Sequence, residues 1–148
     1  MDAIVETWKI AARLNPYFIS AVPAEHWTTK PAKGKTVEGH FCHIHNVRLM
    51  WLKSAATDLL EGIEKLESGT PEGVIKALEA SAEAIALLLE RASVDDRIKG
   101  FKPHRTAYLG YLISHETHHR AQAELILREF GSPLPDKTAY GLWEWGVR

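Results

Sequence analysis

The chain has 148 residues, a formal net charge of −1 and 45% apolar residues. That is the length of one ordinary domain able to bury a core without staples, and near-neutrality with a pI of 6.7 argues against nucleic-acid binding. The single cysteine, Cys42, excludes an internal disulfide and, with no signal-like N-terminus, points to a reducing, cytoplasmic setting; no apolar run approaches the ~20 residues of a membrane span.

Proline and glycine cut the chain into four long stretches of helical character. The first covers about 3–22, with Ile4, Trp8, Ala11, Ala12 and Phe18 near helical spacing. Pro16 predicts a kink or break near Asn15. Residues 28–35 (TTKPAKGK) read as a loop, after which Thr36 caps a second helix, VEGHFCHIHNVRLMWLKSAA. The following TDLLEGIEKLESG is a short helix or a connection. Thr70, Pro71 and Glu72 supply a capping hydroxyl, a proline at the first helical position and an acid against the dipole. The third helix starts there and carries apolar Val74, Leu78, Ile85 and Leu88. Residues 94–102 form a polar connection; Pro103 begins the fourth helix, which ends at Gly131.

The last stretch, about 132–148, holds three aromatics and reads as an ordered, packed tail. Period-2 alternation is nowhere convincing. The expectation is a single all-α domain over 1–148, an antiparallel four-helix bundle.

Six of the eight histidines fall in two clusters. The second helix carries His40, His43 and His45, and the fourth carries His115, His118 and His119. Residues three or four apart share a helix face, so His115 and His119 are stacked neighbours. They lie on a seam of Tyr108, Leu112, His115, His119, Gln122 and Ile126, which should face the core. In the second helix one seam runs through His40, His43, Val47 and Met50. A competing seam through Val37, Phe41, Ile44, Arg48 and Trp51 holds no histidine, so periodicity leaves that helix open. Two imidazoles on one face, with a third from a facing helix, make a metal site of the kind bundles build.

The same stretch, His115-Glu116-Thr117-His118-His119, matches the H-E-x-x-H signature of zinc proteases, with Glu116 as general base. Those enzymes also need a substrate-aligning sheet and a third ligand further along. No strand is legible and no histidine follows His119, so a zinc-dependent hydrolase ranks low. Arg48 has two readings, a substrate carboxylate partner or a structural partner of Glu116 or a carbonyl, and the structural one is favoured. Cys42 reads as an inert buried thiol, and Trp143 and Trp145 as packing residues.

These motifs resemble the DinB/YfiT-like superfamily. HIHNVRLMWL is similar to that family's first motif, a histidine followed about eight residues later by Trp and Leu; this alignment sets His43 with Trp51 and Leu52. HETHHRAQ resembles its H-x-x-x-H-R-G-Q stretch, with His115 and His119 as ligands and Arg120 and Gln122 in register. Ala121 replaces the common glycine, small for small. The resemblance spans nearly the whole chain. It implies a four-helix bundle, often a homodimer, holding a divalent metal (zinc or nickel) on His43, His115 and His119. His45 is the alternative ligand on the second helix. Characterised relatives include transferases and isomerases that use a low-molecular-weight thiol such as bacillithiol, mycothiol or glutathione, so a metal-dependent thiol transferase is the leading expectation. The alternative is a non-catalytic dimeric bundle with a structural metal or none. Specific catalytic and substrate-binding residues are not legible.

Overall fold

The structure, a computed structural model, describes residues 1–148. Four long helices dominate: α1 (Ala3–Ile19), α2 (Val37–Ala55), α3 (Pro71–Arg91) and α4 (Arg105–Glu129). Their starts follow local chemistry. The Asp2 carboxylate accepts from the Ile4 amide at 2.8 Å, Thr36 Oγ1 from Gly39 at 2.9 Å, and Thr70 Oγ1 from Gly73 at 3.1 Å. The cap of α4 is His104, not a residue before Pro103: its Nδ1 accepts from the Ala107 amide at 3.2 Å. Gly131, at φ +74°, lets the chain turn back, so that the Ser132 amide reaches the Leu127 carbonyl at 2.8 Å.

Pro16 does not break α1, so of the expected kink or break near Asn15 the break is absent. Pro16 falls in the last full turn, where a proline removes one bond near an end that frays anyway. The Ser20 amide and hydroxyl both bond the Pro16 carbonyl, at 3.0 and 2.9 Å, and finish the helix. The 94–102 connection also differs from expectation, because it holds an antiparallel hairpin of β1 (Arg97–Ile98) and β2 (Phe101–His104). Two and four residues are too few for alternation to show in a sequence. Gly100 sits at the turn with φ +89°.

The tail forms a short α5 (Asp136–Gly141). Leu134 and Gly141 are buried there, and a side chain on Gly141 would collide with the Tyr17 hydroxyl. Trp143 is 81% exposed and does not pack into the core, which corrects the expectation for that residue.

The helices form a square in which α1 packs on α3, α3 on α2, α2 on α4 and α4 on α1. Contacts between residues 40 and 119 and between 51 and 111 show that α2 and α4 run antiparallel. Asp2 meets Arg105 while Asn15 meets Glu116 and Arg120, so α1 and α4 run parallel. The bundle is thus not antiparallel at every packing. Links 38–69, 45–81 and 58–91 make α2 and α3 parallel too, joined by the return segment 56–70.

Apolar burial is divided into two clusters, one around Trp8, Leu52, Ile85 and Leu112, the other around Phe18, Phe41, Leu78 and Leu127. Between them lies a polar layer with one residue from each helix: Asn15, Arg48, Ser81 and Glu116, each at most 2% exposed. Arg48 Nε and Nη2 donate to the two Glu116 oxygens at 2.7 and 2.9 Å, and Arg48 Nη1 donates to the Leu78 carbonyl at 2.8 Å. Asn15 Nδ2 donates to Glu116 Oε2 at 2.8 Å and Arg120 Nη1 to Asn15 Oδ1 at 2.8 Å. Every member is satisfied, as buried polar groups require.

Outside that layer two buried side-chain atoms lack a hydrogen-bond partner, Arg105 Nε and the Tyr108 hydroxyl. The Tyr108 side chain is fully buried in the first cluster. An orphaned buried hydroxyl is a cost, so Tyr108→Phe is expected to stabilise the protein by about 1 kcal/mol, read as a rise in the urea midpoint. A loss of stability would reveal a partner for that hydroxyl.

Candidate metal centre

Two antiparallel helices bring three imidazoles together on the α2–α4 seam. His43 comes from α2, and His115 and His119 from successive turns of α4. One ring nitrogen of each lies within 4.8 Å of the other two. His115 Nε2 and His43 Nε2 are 3.3 Å apart, and the His119 ring centroid is 4.5 Å from that of His43 and 4.6 Å from that of His115. A tetrahedral ion with nitrogen ligands at 2.0–2.1 Å needs donors about 3.3–3.4 Å apart. The donor type fits, and so does the 3.3 Å between His43 and His115; the His119 nitrogen lies within 4.8 Å of both. All three rings are half-buried and no fourth donor joins the set, so one side of the cluster is left to solvent.

The histidines stand at the edge of the core rather than facing its centre, which corrects the sequence reading of α4. Tyr108, Leu112 and Ile126 of the expected seam are buried, but Glu116, Arg120 and Ala123 occupy the interior beside them. At 100° per residue, the mean direction of the buried residues is rotated about 60° from the histidine line. Glu116 can be buried because Arg48 and Asn15 satisfy both its oxygens. In α2 the interior stripe is Val37, Phe41, Ile44 and Arg48, the seam without histidine, and His43 stands on its flank toward α4. The favoured structural reading of Arg48 is what the structure shows.

His45 lies on the opposite flank and is fully buried. Its Nδ1 meets Ser81 Oγ at 3.1 Å and its Nε2 the Glu64 carbonyl at 2.8 Å, so neither nitrogen is free for the cluster. His45→Ala is expected to cost roughly 2–4 kcal/mol of stability through a cavity and two lost partners. Metal affinity is expected to stay unchanged in the same variant; a His45→Ala protein that folds well but no longer binds metal contradicts this division of labour.

His118 is exposed and stands outside the triad, and His104 caps α4. Glu116 spends both carboxylate oxygens on the polar layer, so the structure gives the H-E-x-x-H reading no free base. Nor does it supply the substrate-aligning sheet, because the only strands form the two-stranded hairpin. Cys42 is buried, and burial pushes its thiol up to about 11, which makes it a poor nucleophile. Sequence reasoning set His40 on a seam with His43 but gave it no role; it is buried and places its Nδ1 3.0 Å from His119 Nδ1. The i,i+3 spacing from His43 put it on the right seam, but its partner lies on the facing helix.

Burial is the first cause lowering the pKa of all three triad histidines. Burial and the neighbouring imidazoles of His115 and His43 bring His119 to about 3; burial, then Lys35 and His43, bring His40 to about 4. The rings are therefore neutral at pH 7, with lone pairs available. Because these values lie below the ordinary 6.5, the unfolded chain takes up protons first. The stability of the metal-free protein is expected to hold above about pH 6.5 and to fall as the pH drops toward 4. Urea midpoints measured across that window check it; a midpoint that rises on acidification contradicts it.

A helical bundle with three converging, half-buried imidazoles on one interhelical seam defines a candidate divalent-metal protein. The sequence model of the DinB family matches residues 1–145, and the chain belongs to that family. Among solved structures it is similar to a DinB-like protein of Bacillus subtilis, YjoA, at 20% identity and a TM-score of 0.64. That match covers 90% of this chain and 96% of the other, and it concerns the fold. A search of curated protein sequences finds no match. No helix is long and apolar enough to cross a membrane.

Proposed function

We propose that this DinB-family chain binds a divalent metal, zinc or nickel, through His43, His115 and His119, and uses it as a thiol-dependent transferase or isomerase. The observation that carries the metal reading is the donor set itself: three imidazoles whose ring nitrogens converge within 4.8 Å, one pair at 3.3 Å, with no fourth histidine, cysteine or carboxylate in the set. A closed four-ligand shell is the mark of a structural site, whereas three ligands leave a position open. An ion there supplies a Lewis acid that lowers the pKa of a small thiol or water brought to the open position.

The chain's own residues supply the frame. The Arg48–Glu116 pair locks α2 against α4 beneath the histidines, and Trp51 and Tyr111 stand beside His115 on the same seam. The Trp51 Nε1 donates to Tyr111 Oη at 3.4 Å, and the Tyr111 ring stacks on His115 with centroids 6.1 Å apart. Since Cys42 is buried and turned from the site's chemistry by its raised pKa, the thiol in this reading is a diffusible one such as bacillithiol, mycothiol or glutathione. A cytoplasmic setting, where such thiols are held reduced, and a homodimeric state belong to the same proposal. Tyr140 and Trp143, 71% and 81% exposed and lining one cleft, support pairing, since exposed apolar side chains favour association.

The test begins with tag-free protein and elemental analysis. Protein that carries no metal and fails to bind zinc or nickel at micromolar levels removes the reading. Metal-loaded protein is then incubated with each thiol and an electrophile, and thiol consumption is followed against the metal-free control. Binding without turnover on any of the thiols would favour the non-catalytic bundle, and sedimentation gives the oligomeric state.

A further inference from the structure

We infer that His40 is a positioning residue for the metal centre: its ring holds His119 in the tautomer and orientation that present Nε2 to the ion. The inference rests on the metal reading above and extends it to a residue outside the donor set. His40 Nδ1 lies 3.0 Å from His119 Nδ1, with ring centroids 5.2 Å apart. Two facing ring nitrogens at that distance require one to carry the proton and the other to offer its lone pair.

The direction of the bond follows from what a metal needs. A ligating nitrogen carries no proton, so a neutral ligand histidine keeps its proton on the other nitrogen. With Nδ1 of His119 committed to His40, the ligating atom is Nε2. The proton then sits on His119 Nδ1, which donates to His40 Nδ1, while His40 carries its own proton on Nε2. His40 is 5% exposed and lies one turn before His43 on α2, so packing fixes the acceptor in place. Neither His43 nor His115 has an outer nitrogen bonded to a protein group, which makes His119 the anchored member of the triad. His40 itself stands outside the converging donors. Partners that orient a ligand histidine in this manner typically contribute tenfold to a hundredfold in metal affinity.

The experiment compares zinc affinity, by competition with a chromophoric chelator, in the wild type, His40→Leu and His40→Asn. Asn carries Oδ1 on the atom corresponding to His Cγ, so it keeps an acceptor near the Nδ1 position. His40→Leu is expected to lose about tenfold to a hundredfold, and His40→Asn to recover most of it. Nitrogen-15 NMR of the zinc-loaded wild type is expected to show His119 protonated at Nδ1 and metal-bound at Nε2.

Metal bound through Nδ1 of His119 overturns the role whatever the variants do, including a His40→Leu protein that fails to fold. A well-folded His40→Leu with wild-type affinity overturns it as well. So does X-ray absorption showing one fewer nitrogen ligand in that variant, which would make His40 a ligand. A wild type that binds no ion is a separate result: it removes the metal reading, and this role with it.

Discussion

Arg48→Met is expected to cost about 3–5 kcal/mol of stability, enough to lower the melting temperature by roughly 6–20 °C. Arg48 and Glu116 are 1% and 2% exposed and meet through two hydrogen bonds. Removing the guanidinium leaves a carboxylate in the centre of the bundle with only the Asn15 amide to answer it. It also strips the Leu78 carbonyl and Ser81 of a donor and removes the cation lying 4.9 Å over the Trp8 ring. Most of the cost is the stranded charge, not the worth of the pair. The double variant Arg48→Met, Glu116→Gln is accordingly expected to recover part of the loss, because no charge is left behind. Urea denaturation of the metal-free proteins measures both. A single variant within about 1 kcal/mol of wild type would mean that water reaches Glu116 and that the polar layer is not sealed.

That layer also explains which features could be read from the sequence. Helix starts at Thr36 and Thr70 were legible because capping depends on a few adjacent residues, and the structure shows both bonds. His115 and His119 were legible as a pair because their spacing is local. The inward face of α4 was not, since it depends on Arg48 arriving from another helix to neutralise Glu116. No periodicity confined to one segment carries that information. His45 presents the same difficulty in reverse: its partners, Ser81 and the Glu64 carbonyl, lie 36 and 19 residues away. Alternation could not reveal the hairpin because its strands are so short, and the parallel packing of α2 on α3 follows from a connection whose path no local rule dictates. That the helix runs through Pro16 without a break was illegible for a different reason: a proline's cost depends on where the helix ends, and that end is set by the Ser20 bonds to the Pro16 carbonyl.

His119→Ala is expected to reverse the Arg48 result, sparing the fold and removing the metal. His119 is only half-buried, so the metal-free variant is expected to lose about 1–2 kcal/mol, the cost of leaving buried His40 Nδ1 without its partner, well short of the Arg48 effect. One of three proposed ligands is gone, however, and a ligand's share of a typical zinc-site free energy corresponds to roughly 10²–10³-fold in affinity. The contrast can be read without knowing the reaction. Zinc at about a hundred times its dissociation constant adds about 2.7 kcal/mol to a protein that binds it only when folded. The wild type is expected to show that gain in thermal melts with and without zinc, and His119→Ala almost none. Equal gains in the two proteins would place the ion elsewhere. A gain in neither would leave the buried polar layer as a device for stability and register alone, and the three imidazoles above it without an ion to hold.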